Sequence, residues 1–219
     1  MNSTYRAFVA CIATATLSAC SAAYSSDGHD ITAVNGTVEA EAGKSYGTLS
    51  TVNGNVRVRR GATADKAKTV NGSIEIEDDA RVGTASTVNG SLRVGAGAAI
   101  NESAATVNGE VKLRARSRVG GDVSSVNGEL DLEGAEVAGK LITRSGDIEL
   151  SDGARVRGGI HVQKRNDSGW NWDRKDPIKV HVCGTCVVDG ELRFDQPVEL
   201  RVDEGGKIGA VVGEQVTRR

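Results

Sequence analysis

The chain has 219 residues, 28 of them glycine, 3% aromatic residues, and a formal charge of −2. A near balance of 27 basic and 29 acidic residues lacks the basic excess of a nucleic-acid-binding face, so no nucleic-acid partner is expected. The low aromatic content also weighs against a sugar-cleaving cleft, which needs stacking planes beside a carboxylate pair.

Residues 1–19 read as a signal peptide, with Arg6 as a short basic start and residues 7–17 as an apolar run too short to span a membrane. Leu17-Ser18-Ala19-Cys20 matches the bacterial lipobox, in which the cysteine becomes the lipidated first residue, so Cys20 is the expected lipidation site and the membrane the expected first partner. Cys11 leaves with the signal peptide, and the loss of Arg6 takes the mature charge from −2 to −3. Residues 20–30 are small and polar, a flexible tether.

From residue 31 the tripeptide Val-Asn-Gly recurs six times, ending at Gly36, Gly54, Gly72, Gly90, Gly109 and Gly128. The glycines are 18, 18, 18, 19 and 19 residues apart, and a degenerate copy, Arg144-Ser145-Gly146, follows 18 later. A fixed period of this size means one structural unit per repeat, stacked on its neighbours. With the residue before Val as position 1, apolar residues fall at positions 2, 6, 8, 12, 14 and about 17, which in the third copy are Val70, Ile74, Ile76, Ala80, Val82 and Ala85. Apolar pairs two apart are the inward faces of strands, and three such faces make a coil.

The spacing therefore predicts an all-β, single-stranded parallel β-helix of about 18 residues per coil and roughly nine coils, with right-handed coiling favoured by the crossover rule. Asn-Gly is expected to supply one corner because glycine accepts positive φ and asparagine tolerates it, with a second corner near Asp79, Gly97, Gly134 and Gly153. Stacking puts Asn35, Asn53, Asn71, Asn89, Asn108 and Asn127 in one column, an amide ladder.

The Thr-Val-Asn-Gly-Ser-Ile and Gly-Ala-Arg-Val-Arg-Gly-Gly phrases over about residues 31–213 resemble bacterial envelope lipoproteins with adhesin-like or polymer-forming β-helix domains, and more distantly the bactofilins. The resemblance implies a structural or adhesin-like role, and bactofilins, being cytoskeletal, lack the secretion signal seen here. In lipoproteins of this kind Ser rather than Asp after the cysteine directs the protein to the outer membrane, so Ser21 implies an outer-membrane lipoprotein facing the periplasm or the cell surface.

Outward position 7 reads Glu39, Arg57, Glu75, Arg93, Lys112, Asp131 and Glu149, and position 9 partly repeats the pattern. Alternating signs cancel as a long-range field and favour lateral pairing between coils over a charged binding face. Position 1 is a column of Thr51, Thr69, Thr87, Thr106, Ser125 and Thr143, expected to lie outward beside the asparagines as a flat Thr-x-Asn face.

Residues 31–162 form the regular repeat, and residues 163–177 break it as an insertion holding Trp170 and Trp172 among basic side chains. Insertions are where solenoids carry recognition, so the pair is the candidate partner-binding point for an envelope polysaccharide or protein; covering a flank of the solenoid is the alternative. Coils resume over residues 178–213, and residues 214–219 read as a polar tail. His161 and His181 fall in strands as outward residues. Cys183-Gly-Thr-Cys186 reads as an intraturn disulfide; free thiols, half a zinc site and a redox pair compete, but no second ligand pair and no βαβ context accompany it.

The outward carboxylates are periodic, and phosphate loops, serine-hydrolase elbows and calcium-binding glycine repeats are missing from the sequence. The expectation is a non-catalytic scaffold with no cofactor and no metal, able to self-associate through its coil ends, where unpaired strand edges invite another chain.

Overall fold

The computed structural model describes residues 30–165, 176–213 and 216–218. Among these residues all regular structure is strand, and the strands pair in parallel from coil to coil. Alternation of small apolar and polar residues dictates this: every coil has one face to bury, and the only neighbour available to bury it is the next coil. The protein is a β-solenoid of stacked coils of about 18 residues, as the repeat predicts.

One short strand per coil, from Val38–Ala40 to Val216–Arg218, builds a ten-stranded sheet and so counts ten coils rather than nine. The additional coil comes from residues read as a tail: Val216–Arg218 pairs with Val198–Leu200. The remaining faces form a second, sixteen-stranded sheet that forks after Arg81–Asn89. Before the fork one long strand, such as Thr63–Asn71, bends across two faces; after it the same path is split into pairs such as Ala99–Ile100 and Ala104–Asn108. The cause is one extra residue. Val82 and Ala85 are matched by Ile100 and Ala104, so Asn101, Glu102 and Ser103 fill a corner that Gly83 and Thr84 turn alone. This is the extra residue that lengthens the period to 19.

The core runs the length of the stack in columns. One column passes from Leu49 through Ala67, Ala85 and Ala104 to Val123, Leu141, Ile160 and Leu192, all buried. Ile74, Ile76, Ala80, Val82 and Ala85 are buried as the sequence predicts, but Val70 is not. Position 2 faces out, with Val34, Val52, Val70, Val88 and Val107 exposed by 38–57%, and position 1 faces in, with Thr51, Thr69, Thr87, Thr106, Ser125 and Thr143 at most 4% exposed.

The predicted outward Thr-x-Asn face is therefore wrong, and hydrogen bonding is the reason. The buried hydroxyl of Thr69 donates to the Gly54 carbonyl at 2.8 Å, that of Thr87 to Gly72 at 2.9 Å and that of Thr106 to Gly90 at 3.0 Å. A threonine so bonded satisfies an otherwise orphaned corner carbonyl, a service valine cannot perform. Valine keeps its place outside because β-branched side chains stack well between neighbouring strands.

The role expected of the Asn-Gly glycine also changes. Only Gly36 has positive φ, at 103°; at the later copies the reason for glycine is space. A Cβ on Gly72 would lie 1.9 Å from the Gly54 carbonyl oxygen, and one on Gly90 2.0 Å from that of Gly72. The left-handed residues belong to the second corner, where Gly61, Asp79, Gly97, Arg116 and Gly134 take φ between 59° and 69°. That corner was located correctly by sequence near Asp79, Gly97 and Gly134.

These two corners respond differently to substitution. Gly90→Ala is expected to lower stability by more than about 3 kcal/mol, because backbone rather than a flexible side chain must give way. Gly61→Asn, at a corner that Asp79 and Arg116 already occupy, is expected to cost no more than about 1 kcal/mol. Urea unfolding of the two variants against the parent measures both, and equal losses would contradict the steric account.

Candidate interaction surface: the outward columns

Parallel stacking turns each outward position of the repeat into a column, and the side chains in a column meet across about 4.8 Å. The asparagines form the expected ladder. Each Nδ2 donates to the Oδ1 one coil earlier: Asn53 to Asn35 at 3.1 Å, Asn71 to Asn53 at 2.8 Å, Asn89 to Asn71 at 2.9 Å, Asn108 to Asn89 at 2.8 Å and Asn127 to Asn108 at 2.9 Å. The amides are exposed, yet their hydrogen-bonding capacity is directed along the stack.

The position-7 charges also stack in register, Glu39 beside Arg57, Glu75 and Arg93, then Lys112, Asp131 and Glu149. Arg57 Nε meets Glu75 at 2.9 Å, while Arg59 bridges Glu39 at 2.7 Å and Glu77 at 2.8 Å. Two contacts in the column are like-charged, Arg93 beside Lys112 and Asp131 beside Glu149, and both are relieved by other partners. Arg93 leans to Glu110 at 3.9 Å, Lys112 reaches Glu133 at 2.6 Å and also Asp131, and Glu149 meets His181 at 2.8 Å. Hydrogen bonds to Asp131 and then Glu133 hold the Lys112 ammonium well above the ordinary lysine range.

Beside this column Glu110, Glu129 and Asp147 follow one another on three coils. Burial first, and then the surrounding carboxylates Asp131, Glu110, Asp147 and Glu149, push the Glu129 carboxyl up. A raised carboxyl opposes folding at neutral pH, so this patch is a local strain on the stack.

The period breaks where predicted. Strand partners 18 residues apart, such as Leu130 and Ile148, give way to partners 32 apart, Ile148 and Val180. Trp170 and Trp172 lie outside the described residues, as does Cys20. What the structure describes is the frame around the insertion. His181 continues the position-7 column after Glu149, and both of its ring nitrogens meet carboxylates, Nδ1 to Glu149 at 2.8 Å and Nε2 to Asp203 at 2.9 Å. His161 Nε2 meets Asp195 at 2.8 Å.

Each histidine thus spans the junction interrupted by the insertion, a role that reading them as plain surface residues did not foresee. Gln196 adds a clamp, its Nε2 donating to the carbonyls of Arg144 at 2.7 Å and Gln163 at 2.8 Å. An open cleft of about 530 Å³ adjoins this frame, lined by Arg193, Phe194, Asp195, Gln196, Val212 and Gly213.

Cys183 and Cys186 are joined in a disulfide with a Cα separation of 5.0 Å. Their position explains the spacing. In most coils the second corner closes with a backbone bond back three residues, Ala62 N–H to the Arg59 carbonyl and Ala80 N–H to Glu77; Cys186 N–H makes the same bond to Cys183 at 3.0 Å. Cys186 occupies the buried column otherwise held by Ala62, Ala80, Ala98, Ser117, Ala135 and Ala154. The disulfide is a covalent copy of a turn the fold already makes.

Among the described residues no three His, Cys, Asp or Glu side chains are grouped as a metal site. The outward carboxylates described above are distributed along columns. Comparison with protein-family models, with characterised proteins and with solved structures finds no match.

Two outcomes are expected from the charge columns. Arg57→Glu places acid beside acid through Glu39 and Glu75 and should destabilise the fold by about 0.5–2 kcal/mol, a loss that shrinks in high salt because the pairs are half exposed. A loss independent of salt in urea titrations would point instead to packing.

For His181, burial lowers its affinity for a proton, but the bonds to Asp203 and Glu149 outweigh this and raise its pKa. A raised pKa means that the stabilisation is complete below the unfolded value of about 6.5 and fades as pH rises through the folded value. His181→Gln should therefore cost stability at mildly acidic pH and progressively less toward alkaline pH, as read from thermal unfolding across that range.

Proposed function

We propose that this protein is a non-catalytic, lipid-anchored component of the cell envelope that presents a rigid β-solenoid as a scaffolding or adhesin-like surface. Acyl chains on Cys20 hold it to the periplasmic face of a membrane, the outer membrane by the reading of Ser21, and the polar stretch before residue 30 lets the solenoid stand off from the lipid. The observation that carries the reading is the commitment of outward polar side chains to their own neighbours: the asparagine ladder, the Arg57 and Arg59 pairs and the Lys112 pairs direct bonding capacity along the stack. Such a surface supplies length and stiffness rather than a converging set of reactive groups.

Contact with partners then falls to the features outside this internal pairing. One is the insertion with Trp170 and Trp172, whose aromatic planes beside Lys164, Arg165, Arg174 and Lys175 suit an envelope polysaccharide or a protein segment. The other is the coil end, where Val211–Gly213 and Val216–Arg218 are the last described strands of their sheets and a second copy could add to the edge. A polysaccharide-binding protein is the second reading, favoured by the placement of both tryptophans in the one long interruption of the repeat.

Cys20→Ala is the direct test. The variant is expected to leave the membrane fraction and to appear soluble in the periplasm with its disulfide intact; unchanged fractionation would remove the anchor from the proposal. The released protein also tests the absence of chemistry: reproducible cleavage of an envelope polysaccharide, abolished by one outward carboxylate substitution, would replace the scaffold with an enzyme.

A further inference from the structure

The six Asn-Gly pairs share one intrinsic chemistry but not one set of constraints. In such a pair the glycine amide nitrogen can attack the asparagine side-chain carbonyl carbon, forming a C–N bond and expelling the side-chain nitrogen as ammonia. The cyclic imide that results is opened by water at either carbonyl, giving aspartate or isoaspartate. The net exchange is amide plus water for carboxylic acid plus ammonia, with no oxidant or reductant. It requires a glycine N–H that is not engaged elsewhere and an amide free to swing over it.

Inside the stack both requirements are blocked. The N–H groups of Gly54, Gly72 and Gly90 donate to the asparagine carbonyl of the next coil at 3.0 Å, and that of Gly109 does so at 3.2 Å. The side chains of Asn53, Asn71, Asn89 and Asn108 are held from both sides, each donating Nδ2 to one neighbour and accepting at Oδ1 from the other.

The last pair is different because the next corner reads Ser145-Gly146. That corner closes on itself: Gly146 N–H donates to Thr143 Oγ1 at 3.0 Å, and the same hydroxyl donates to the Gly146 carbonyl at 3.1 Å. Among the described residues nothing accepts from Gly128 N–H and nothing donates to Asn127 Oδ1. Asn127 is exposed, and its side chain is held by its single bond to Asn108.

We propose that Asn127 is a self-modification site, converting spontaneously to aspartate or isoaspartate well ahead of the interior ladder asparagines. The position gives the change a structural consequence. A carboxylate at 127 has no N–H for Asn108 Oδ1 and sets charge against it, so the ladder ends one rung earlier. Isoaspartate also lengthens the main chain at a corner where Gly146 stacks so closely on Gly128 that a Cβ would come within 1.8 Å of the Gly128 oxygen. The site therefore ages the stack at a corner two coils before the insertion.

The test is incubation of the full folded protein in isotopically heavy water at mildly alkaline pH, followed by peptide mapping, with each site's rate divided by its own rate in denaturant. Two hydrogen bonds present at each interior site and missing at Asn127 correspond to roughly tenfold faster conversion there than at Asn53, Asn71, Asn89 and Asn108. Equal normalised rates at all five positions, or Asn127 slower than the others, would overturn the proposal.

A variant carrying Arg144→Val and Ser145→Asn restores the repeat at the seventh corner. If its circular dichroism matches the parent, it should slow Asn127 to the interior rate, and continued fast conversion would remove the ladder as the cause. If it does not fold, the comparison among sites in the natural protein decides the matter alone.

Discussion

Backbone stacking without room for a side chain is the constraint on which this protein depends. At Gly54, Gly72, Gly90, Gly109, Gly128 and Gly146 successive coils approach so closely that a Cβ would lie 1.8–2.2 Å from the carbonyl oxygen of the preceding glycine. Glycine at this column fixes the register, since a coil displaced by one residue would push a side chain into backbone. The asparagine ladder follows from it, because amides attached to stacked glycines are held at the spacing at which donor and acceptor meet. So do the charge columns, whose members share a face only while the register holds.

The second corner works by a different principle. There the chain needs positive φ rather than clearance, which is why Asp79 and Arg116 can stand where other coils have glycine. Side-chain carboxylates and amides add stitches at every corner: Asp78 at this one accepts from Ala96 N–H at 2.9 Å, Asn55 beside the Asn-Gly corner from Ser73 N–H at 2.9 Å, and Asp122 at the remaining corner from Lys140 N–H at 2.8 Å. Each catches a main-chain donor on the following coil, so corner polarity strengthens stacking rather than advertising a ligand site.

Around the insertion the same devices are concentrated. Partners 32 or 34 residues apart in sequence must find each other without the guidance of the regular period, and here the stack uses His181 between Glu149 and Asp203, His161 with Asp195, Gln196 on two carbonyls and a disulfide. The Cys183–Cys186 link closes a turn that other coils close by hydrogen bonding alone. A solenoid that carries a long inserted segment is thereby held in one register on both sides of it.

The sequence by itself determined the solenoid, its period, the two corners, the asparagine ladder and the alternation of charge, because these depend on what repeats and at what interval. It also located the interruption and the cysteine pair. It did not determine that Thr87 lies inside and Val88 outside, since by hydropathy the reverse is natural; the choice rests on a carbonyl 15 residues away that only a folded neighbour brings to the threonine hydroxyl. The steric role of Gly72 and Gly90 was invisible for the same reason: the atom that excludes a Cβ belongs to another coil. The histidine pairs and the tenth coil required the tertiary structure too, because across an insertion the sequence separation of two residues no longer measures the distance between them.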